Sequence, residues 1–438
     1  MTRQDVLKAA GLIAALTILS KILGFVREAS LAAVFGATHA TDAYLVAQTI
    51  PMLLFASVGA ALGTTFIPVY AQVLRERGRE GAFAMADTVI NATALAALFF
   101  IAVGELLASP LTRLVAPGFQ GPVYTLTVNL TKVMFPMVLF QALSGLLASM
   151  LQTEGNFLVP AAVGLWFNAL VIATIVGLGP RYGIGAVALG TVVAVAVQTL
   201  VQAPALKRIG YRWRPRLDWR DPGLARIAAL SLPVLIGTSV GQLNAVVDRV
   251  LASGLAEGSV AALNYANKLM MLVPSILGTA ITTVMYPALA KLIAEGDWPR
   301  YSSAFAEAVR VINFLMLPVA AGIAVLRVPL VQLAFQRGAF DAGATEATAW
   351  ALLFFSLLVA SFSLRDLVSR AFYAFQDTVA PMVIGGAAVL LNVVLNLALV
   401  GPLRHGGLAL ATSLAGLFNT VAMLWVLRGR VKQASGGR

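Results

Sequence analysis

The sequence predicts an all-α polytopic membrane protein: about twelve transmembrane helices in two six-helix bundles, a parallel pseudo-repeat around a central cavity. Three observations predict it. Of the 438 residues, 59% are hydrophobic and only 11% charged, and the mean hydropathy of +0.87 lies outside the range of soluble globular domains. Apolar runs of about 20 residues, the length a helix needs to cross a hydrocarbon core of about 30 Å, recur from end to end, without the alternation of a membrane barrel. Finally, short motifs recur between the two halves at an offset of roughly 220 residues, the sign of an internal duplication.

Taken in order, the apolar runs fall at 9–35, 41–73, 83–109, 122–151, 156–178, 184–206, 224–254, 259–292, 303–326, 343–374, 379–400 and 406–427. The first keeps its charges, has no small-residue cleavage site and flows into the second, which reads as a retained helix and not a signal peptide. "GPRYGIG" and "GPLRHGG" are Gly/Pro turns between later runs, and "RDPG" and "GDWPR" are polar stops. The repeat aligns "GAALGTTFIP" (59–68) with "GTAITTVMYP" (278–287), "GAVALGT" (185–191) with "GGLALAT" (406–412), and Pro160 with Pro381. An even number of spans per half gives both halves one orientation, hence a parallel repeat that moves by rocking of the halves. The expected organisation is an N-terminal bundle at 1–206, a basic cytoplasmic linker at 207–223 and a C-terminal bundle at 224–438.

Lysines and arginines set the orientation. Arg3, Lys8, Arg75, Arg77, Arg79, the run "LKRIGYRWRPRLDWR" at 206–220, Lys291, Arg300 and the tail "RGRVKQASGGR" fall on one side. The positive-inside rule makes that side, and both termini, cytoplasmic. It also accounts for most of the net charge of +12, so no nucleic acid is expected as a partner; Tyr211, Trp213 and Trp219 in the basic loop read as interfacial anchors. There is no cysteine, which excludes thiolate chemistry and disulfides. No nucleophile–base pair and no P-loop is visible, so neither an enzyme nor an ATP-driven pump is expected. His39 and His405 fall in outside turns and read as solvated.

Charges inside the runs are the informative exceptions, because each costs about 2.5–3.5 kcal/mol at the middle of a membrane helix unless it meets a partner or a cavity. Arg249, Arg365 and Arg370 sit near helix ends, where pairing or snorkelling explains them. Lys21 and Arg27 lie deeper. Lys21 and Glu28 are seven residues apart and share a helix face, whereas Arg27 points about 100° away, so the helix carries an internal pair and a surplus cation. Gly24, one turn before Arg27, leaves room for a bulky group. Surplus positive charge suits an anionic substrate, and a guanidinium matches phosphate oxygens with a two-pronged fork.

At these residues the chain resembles a known family. "SKILGFVREASLAAVFGATHATDAYLVAQTIP" followed by "FIPVYAQ" is similar to the first two helices of the MurJ/MviN lipid II flippases, within the MATE-like exporter superfamily. "LTKVMFPMVLFQALSGLLASML", "NFLVPAAVGLWFN", "VDRVLASGLAEGSVAALNYANKLM" and "SRAFYAFQDTVAP" extend the likeness over nearly the whole chain. The resemblance implies a flippase for the undecaprenyl-diphosphate-linked peptidoglycan precursor, serving cell-wall biogenesis and cell shape as a monomer in the bacterial inner membrane, with membrane lipids and its lipid-linked substrate as partners. It places the family's cavity cations on Lys21, Arg27 and Lys268, its first-helix acid on Glu28 and a loop-adjacent aspartate on Asp42. Two features depart from the pattern. Many members carry an arginine in the second helix, and "PMLLFASVGAALG" has none; the family usually has fourteen helices, and about twelve are read here.

A second constellation points to coupling. Asn392 and Asn396 sit four apart on one helix face, Thr412 follows in the last helix and Asp248 lies in the seventh, and their oxygens suit a hard monovalent cation such as Na⁺. Relatives place a sodium site on these helices, although Asn396 stands where an aspartate is expected. Amides and hydroxyls tying helices together are the equal alternative. No other cofactor is expected. Besides a lipid II flippase, the sequence leaves open a flippase for another polyprenyl-diphosphate glycan, a MATE-type cation-coupled drug antiporter and a non-transport scaffold; an antiporter for cationic drugs would favour carboxylates over embedded arginines. The orientation is directly testable in a chain without native cysteine: a cysteine at Thr38 should react with an impermeant reagent in intact cells, and one in the 206–220 loop only after permeabilisation.

Overall fold

The computed structural model describes residues 3–435, and the side chains of all of them except 3–10, 54–58, 60, 233, 236–241, 243 and 279; Arg3 and Lys8, used above for orientation, lie outside the described side chains. Every regular element among the described residues is helical. Hydrocarbon offers the backbone no hydrogen-bond partners, so a chain this apolar satisfies its peptide groups within helices. The chain divides into two compact units, residues 1–242 and 243–438.

The first unit runs α1 (Arg3–Phe35), α2 (His39–Leu106), α3 (Ala108–Val115), α4 (Gly121–Met134), α5 (Met137–Thr153), α6 (Leu158–Gly177), α7 (Gly179–Leu200) and α8 (Ala203–Arg208), and the division falls inside α9 (Pro222–Ser253). The second continues with α10 (Ser259–Val273), a widened π-type turn at Pro274–Gly278, then α11 (Thr279–Glu295), α12 (Trp298–Val325), α13 (Arg327–Phe335), α14 (Ala342–Phe355), α15 (Leu358–Ala374), α16 (Val379–Leu403) and α17 (His405–Ala434). The 68-residue α2 is two spans in one, because Gly78 breaks the helical path with φ 67 and ψ −174, a conformation that glycine adopts readily. Its two arms match the separate runs expected at 41–73 and 83–109. The break between α4 and α5 falls at Phe135–Pro136, where proline cannot donate to the preceding turn. Eight helical stretches among the described residues are long and apolar enough to cross a membrane, and α14 with α15, bent by 45°, adds a ninth. Large apolar side chains such as Phe99, Leu106, Phe314, Leu333 and Trp425 remain exposed, as lipid-facing surfaces require.

The duplication read from short motifs is a backbone repeat at an offset of 221 residues. The boundaries of α4 and α5 recur in α14 and α15. The left-handed turn residue Gly155 (φ 83) recurs as Gln376 (φ 59), and Gly183 (φ 71) as Arg404 (φ 52), so the turn geometry persists where the glycine does not. Thr199 Oγ1 donates to Phe140 O at 2.8 Å, and Thr420 Oγ1 donates to Ser361 O at 3.0 Å.

The basic segment after α8 is pinned to the second arm of α2. Asp87 Oδ1 accepts from Tyr211 Oη at 2.6 Å and from Arg214 N at 3.2 Å, while Asn91 Nδ2 donates to Arg214 O and Arg216 O at 3.0 and 2.7 Å. Burial, and then the carboxylate that accepts its hydrogen bond, push the Tyr211 phenol far above its ordinary range, so it stays a donor. Trp213, read as an interfacial anchor, donates its Nε1 to Asn91 Oδ1 at 3.1 Å. Tyr211→Phe should cost about 1–3 kcal/mol, the worth of a hydrogen bond to a charged acceptor, seen as a lower thermal midpoint in detergent and faster proteolysis within 212–220.

Candidate functional site

Among the described residues, each unit holds a cluster that brings together embedded polar residues singled out in the sequence. In the first, α1 packs against α6, and the cluster forms where Arg27 meets Asn168. Arg27 Nη2 lies 2.6 Å from Glu28 Oε1, and Nη1 donates to Asn168 Oδ1 at 3.1 Å. Its guanidinium also lies over the Phe167 ring, 5.3 Å from the centroid. Asn168 is fixed in turn, because its Nδ2 donates to Ser20 O at 3.1 Å and Gly164 O at 2.9 Å, which leaves only the oxygen to face Arg27. Glu28 is buried, yet 21% of the Arg27 side chain stays exposed.

Adjacent helical residues diverge by about 100°, which is why spacing alone assigned Glu28 to Lys21. Arginine is long enough to turn back to its neighbour, so Arg27 is an accompanied charge and not a bare surplus one. Lys21, one helical face away, is partly exposed, and Asp42 is buried in the first turn of α2, where the helix dipole favours an acid. Nearby, Tyr44 and Thr191 share a hydrogen bond of 2.9 Å that ties α2 to α7.

In the second unit the set read as a cation site is contiguous. Asn396 Nδ2 donates to Asp248 Oδ1 at 2.8 Å and to Asn392 Oδ1 at 2.9 Å, and Asn392 Nδ2 donates to Thr412 Oγ1 at 3.3 Å. Both asparagines are fully buried, and the Asn396 Oδ1 acceptor has no hydrogen-bond partner. Asn244, one turn before Asp248, likewise leaves its Oδ1 without one. A buried carbonyl oxygen without a donor is costly, and a hard cation is one way to satisfy it. Asp248 also lines a cavity of about 210 Å³ with Asn264 and Asn267 of α10. Lys268 follows on the same helix but is exposed and does not line that cavity. No group of three or more His, Asp or Glu side chains is close enough to hold a metal among the described residues, so the donor set is one carboxylate with amides and a hydroxyl.

The remaining embedded arginines have structural partners. Arg370 Nε lies 3.3 Å from Asp366 Oδ2, which also accepts from Thr282 Oγ1 at 2.6 Å; Arg365 lies over Phe362; and Arg249 donates to Val260 O at 3.4 Å. His405, expected to be solvated, bonds through Nε2 to Ala347 O at 2.8 Å. Asn168 and Asn244 were missed by sequence reasoning. The available signal was a single amide inside an otherwise apolar run, "GLWFNALV".

Comparison with known proteins gives one consistent result. The family description "Lipid II flippase MurJ" matches residues 31–437. The lipid II flippase MurJ of Burkholderia cenocepacia is 31% identical over 431 residues, covering 96% of this chain and 84% of that protein. Among solved structures, a lipid II flippase MurJ in an inward closed conformation superposes with a TM-score of 0.84 at 23% identity, covering 97% of this chain and 90% of the other. An inward-facing multidrug resistance MATE family transporter of the MOP superfamily gives 0.80 at 15% identity, covering 98% and 99%. Asn168→Leu should lower stability by about 1–3 kcal/mol by leaving the guanidinium short of an acceptor, and its effect should not add to that of Arg27→Ala in a double-mutant cycle of thermal midpoints.

Proposed function

Because the chain belongs to the lipid II flippase MurJ family, we propose that it carries lipid II, the undecaprenyl-diphosphate-linked peptidoglycan precursor, from the inner to the outer leaflet by alternating access. It is a multi-pass membrane transporter and not an enzyme. Its partners are the lipid-linked substrate and the surrounding lipids. The reading places it in the bacterial inner membrane as a monomer with both termini cytoplasmic.

The observation that carries the reading at the level of residues is Arg27. Glu28 and Asn168 hold its guanidinium within the apolar bundle, while part of the side chain stays open. Such a group offers a diphosphate a pre-oriented, charge-assisted contact at little further ordering cost. Lys21 in the first unit and Lys268, exposed on α10 of the second, supply further cations, and Glu28 and Asp42 offset positive charge within the first unit. A flippase for a different polyprenyl-diphosphate glycan would use the same groups. The drug-antiporter reading fits the shared fold less well in charge, since a cationic drug would meet arginine and lysine.

We further infer that Asp248, Asn392, Asn396 and Thr412 take up a coupling cation, with Na⁺ the fitting ion. The orphaned Asn396 oxygen beside the Asp248 carboxylate supports this. A bound ion would bias the empty carrier toward one conformation to the extent that its affinity differs between conformations.

Complementation of a conditional flippase-null bacterium tests the main reading. The wild-type chain should restore growth, whereas Arg27→Ala and Lys268→Ala should each fail while still accumulating in the membrane; growth on either variant would remove that residue from the substrate contacts. In reconstituted vesicles, Asp248→Asn should abolish the Na⁺ dependence of flipping and Thr412→Ala should weaken it less. A wild-type rate indifferent to Na⁺ and unchanged in Asp248→Asn would return the cluster to helix packing.

A further inference from the structure

Where α12 begins and α17 ends, the second unit holds a cavity of about 900 Å³. Tyr301 and Phe305 of α12 line one wall, and Leu424, Leu427 and Val431 of α17 line the other. The aromatic wall is braced, since Trp298, also at the cavity, stacks on Phe375 with ring centroids 5.9 Å apart, and Tyr301 is buried. Both helices are long and apolar enough to cross a membrane, one starting at Trp298 and the other ending at Ala434. The cavity therefore lies at a membrane interface, the depth that tryptophan favours.

Two cations stand at its rim. Arg428 and Lys432 are about one turn apart on α17, line the cavity and are exposed. Nearby arginines are already taken, with Arg300 lying 3.4 Å from Asp297 and Arg430 3.0 Å from Asp377. Among the described residues no ion pair reaches Arg428 or Lys432. The first unit repeats part of this wall: at the 221-residue offset Leu424, Leu427 and Arg428 correspond to Ala203, Leu206 and Lys207, which line a cavity of about 460 Å³. The opposite walls differ, and so does the path of the chain. In the first unit α8 ends at Arg208 and Tyr211 turns onto Asp87, whereas α17 runs on to Ala434 and sets Lys432 at the position of Tyr211.

We propose that the second-unit cavity is a site for one anionic glycerophospholipid, with the phosphate between Arg428 and Lys432 and the upper part of an acyl chain against Phe305, Leu427 and Val431. The cavity volume, in the range of small-molecule sites, admits part of one lipid. Apolar shape alone would select no lipid, because an acyl chain leaves hydrocarbon of the same character in order to enter. Headgroup charge does select. The Arg428 fork can take two phosphate oxygens and Lys432 a third, whereas a zwitterionic lipid brings an ammonium to the same two cations. At about fivefold per cation, anionic lipid should be preferred about twentyfold. This site does not depend on the lipid II reading or on the substrate contacts proposed at Arg27.

Tryptophan quenching tests this on the full-length chain in lipid nanodiscs. With Trp166, Trp213, Trp219, Trp350 and Trp425 replaced by phenylalanine, Trp298 reports on the cavity. Brominated phosphatidylglycerol should quench it at about one-twentieth of the mole fraction that brominated phosphatidylcholine needs. Arg428→Gln combined with Lys432→Gln should bring the two lipids to parity. Val431→Phe, which narrows the cavity and keeps both cations, should also abolish the preference; a preference that persists would place the lipid on the charged surface outside the cavity and overturn the proposal. Native mass spectrometry of the unaltered chain gives a readout that does not require the single-tryptophan chain to fold. One phosphatidylglycerol should stay bound to wild type and be lost from the Arg428→Gln, Lys432→Gln variant. Equal retention of the two lipids, a preference indifferent to the two substitutions, or displacement of phosphatidylglycerol by equimolar lipid II would each overturn the assignment.

Discussion

Groups that this chain removes from water must be met by other parts of the chain, because a hydrocarbon surrounding supplies neither donors nor acceptors. That constraint organises the molecule at every scale. It makes the backbone helical throughout the regular elements. Hydroxyls turn back onto their own helices, as Thr127, Thr131, Thr174 and Thr191 do toward the carbonyl four residues before. It decides the form of the polar clusters too. Arg27 takes an acid from its own helix and an amide from α6, and that amide is itself anchored to two carbonyls before it reaches the charge. A guanidinium set into such a chain of partners is held in one orientation, which is what a two-pronged contact with phosphate oxygens needs and what an unsupported charge could not maintain.

Duplication explains why two such clusters exist. A repeated bundle inherits its helix contacts twice, together with the positions where polar side chains from separate helices meet. The scaffold tolerates divergence at those positions more readily than in its turns. Gln376 and Arg404 keep the positive φ that Gly155 and Gly183 adopt without strain, at a cost of about 1–3 kcal/mol each. The turn is therefore fixed by the geometry of the surrounding helices, whereas the sign of the charge reverses between Arg27 and Asp248, related by the same offset, with an amide at a different level of the neighbouring helix meeting each. One architecture then places an arginine ahead of an acid in one unit and an acid ahead of an arginine in the other.

Much of this architecture was legible before the structure. The helical stretches were visible because hydrophobic runs and Gly/Pro turns are local features, and Asn392 and Asn396 could be grouped because helix periodicity puts i and i+4 on one face. What escaped was non-local. Asn168 lies 141 residues from Arg27, and nothing in "GLWFNALV" says which helix its amide reaches. The Tyr211–Asp87 bond, 124 residues apart, converts a loop that looked merely topogenic into one fastened to α2. The contact of Arg27 with Glu28 escaped for a different reason. Face arithmetic follows Cβ directions, and long flexible side chains are not bound by them. The opposite charges at positions 27 and 248 also concealed their equivalence, since sequence motifs reveal repeats through similarity.

A fixed cation in the first unit has energetic consequences for moving an anion. A diphosphate entering an apolar bundle loses hydration, and a guanidinium already desolvated and oriented by Glu28 and Asn168 can replace some of that hydration without reorganising. An inside-negative potential favours outward movement of negative charge by about 2.3 kcal/mol per charge per 100 mV. The loaded step is therefore aided by the potential to the extent that net negative charge crosses with the substrate. A fully neutralising site would forfeit that bias, and a bare one would bind too weakly. As the proposed substrate contact, Arg27, its charge partly offset by Glu28, would lie between those limits. On the proposed reading, return of the empty carrier needs a different source of direction, and a cation exchanged at Asp248 would provide one that does not compete with the substrate for the same side chains. Separate charges in separate units would thus allow anion binding and carrier resetting to be tuned independently.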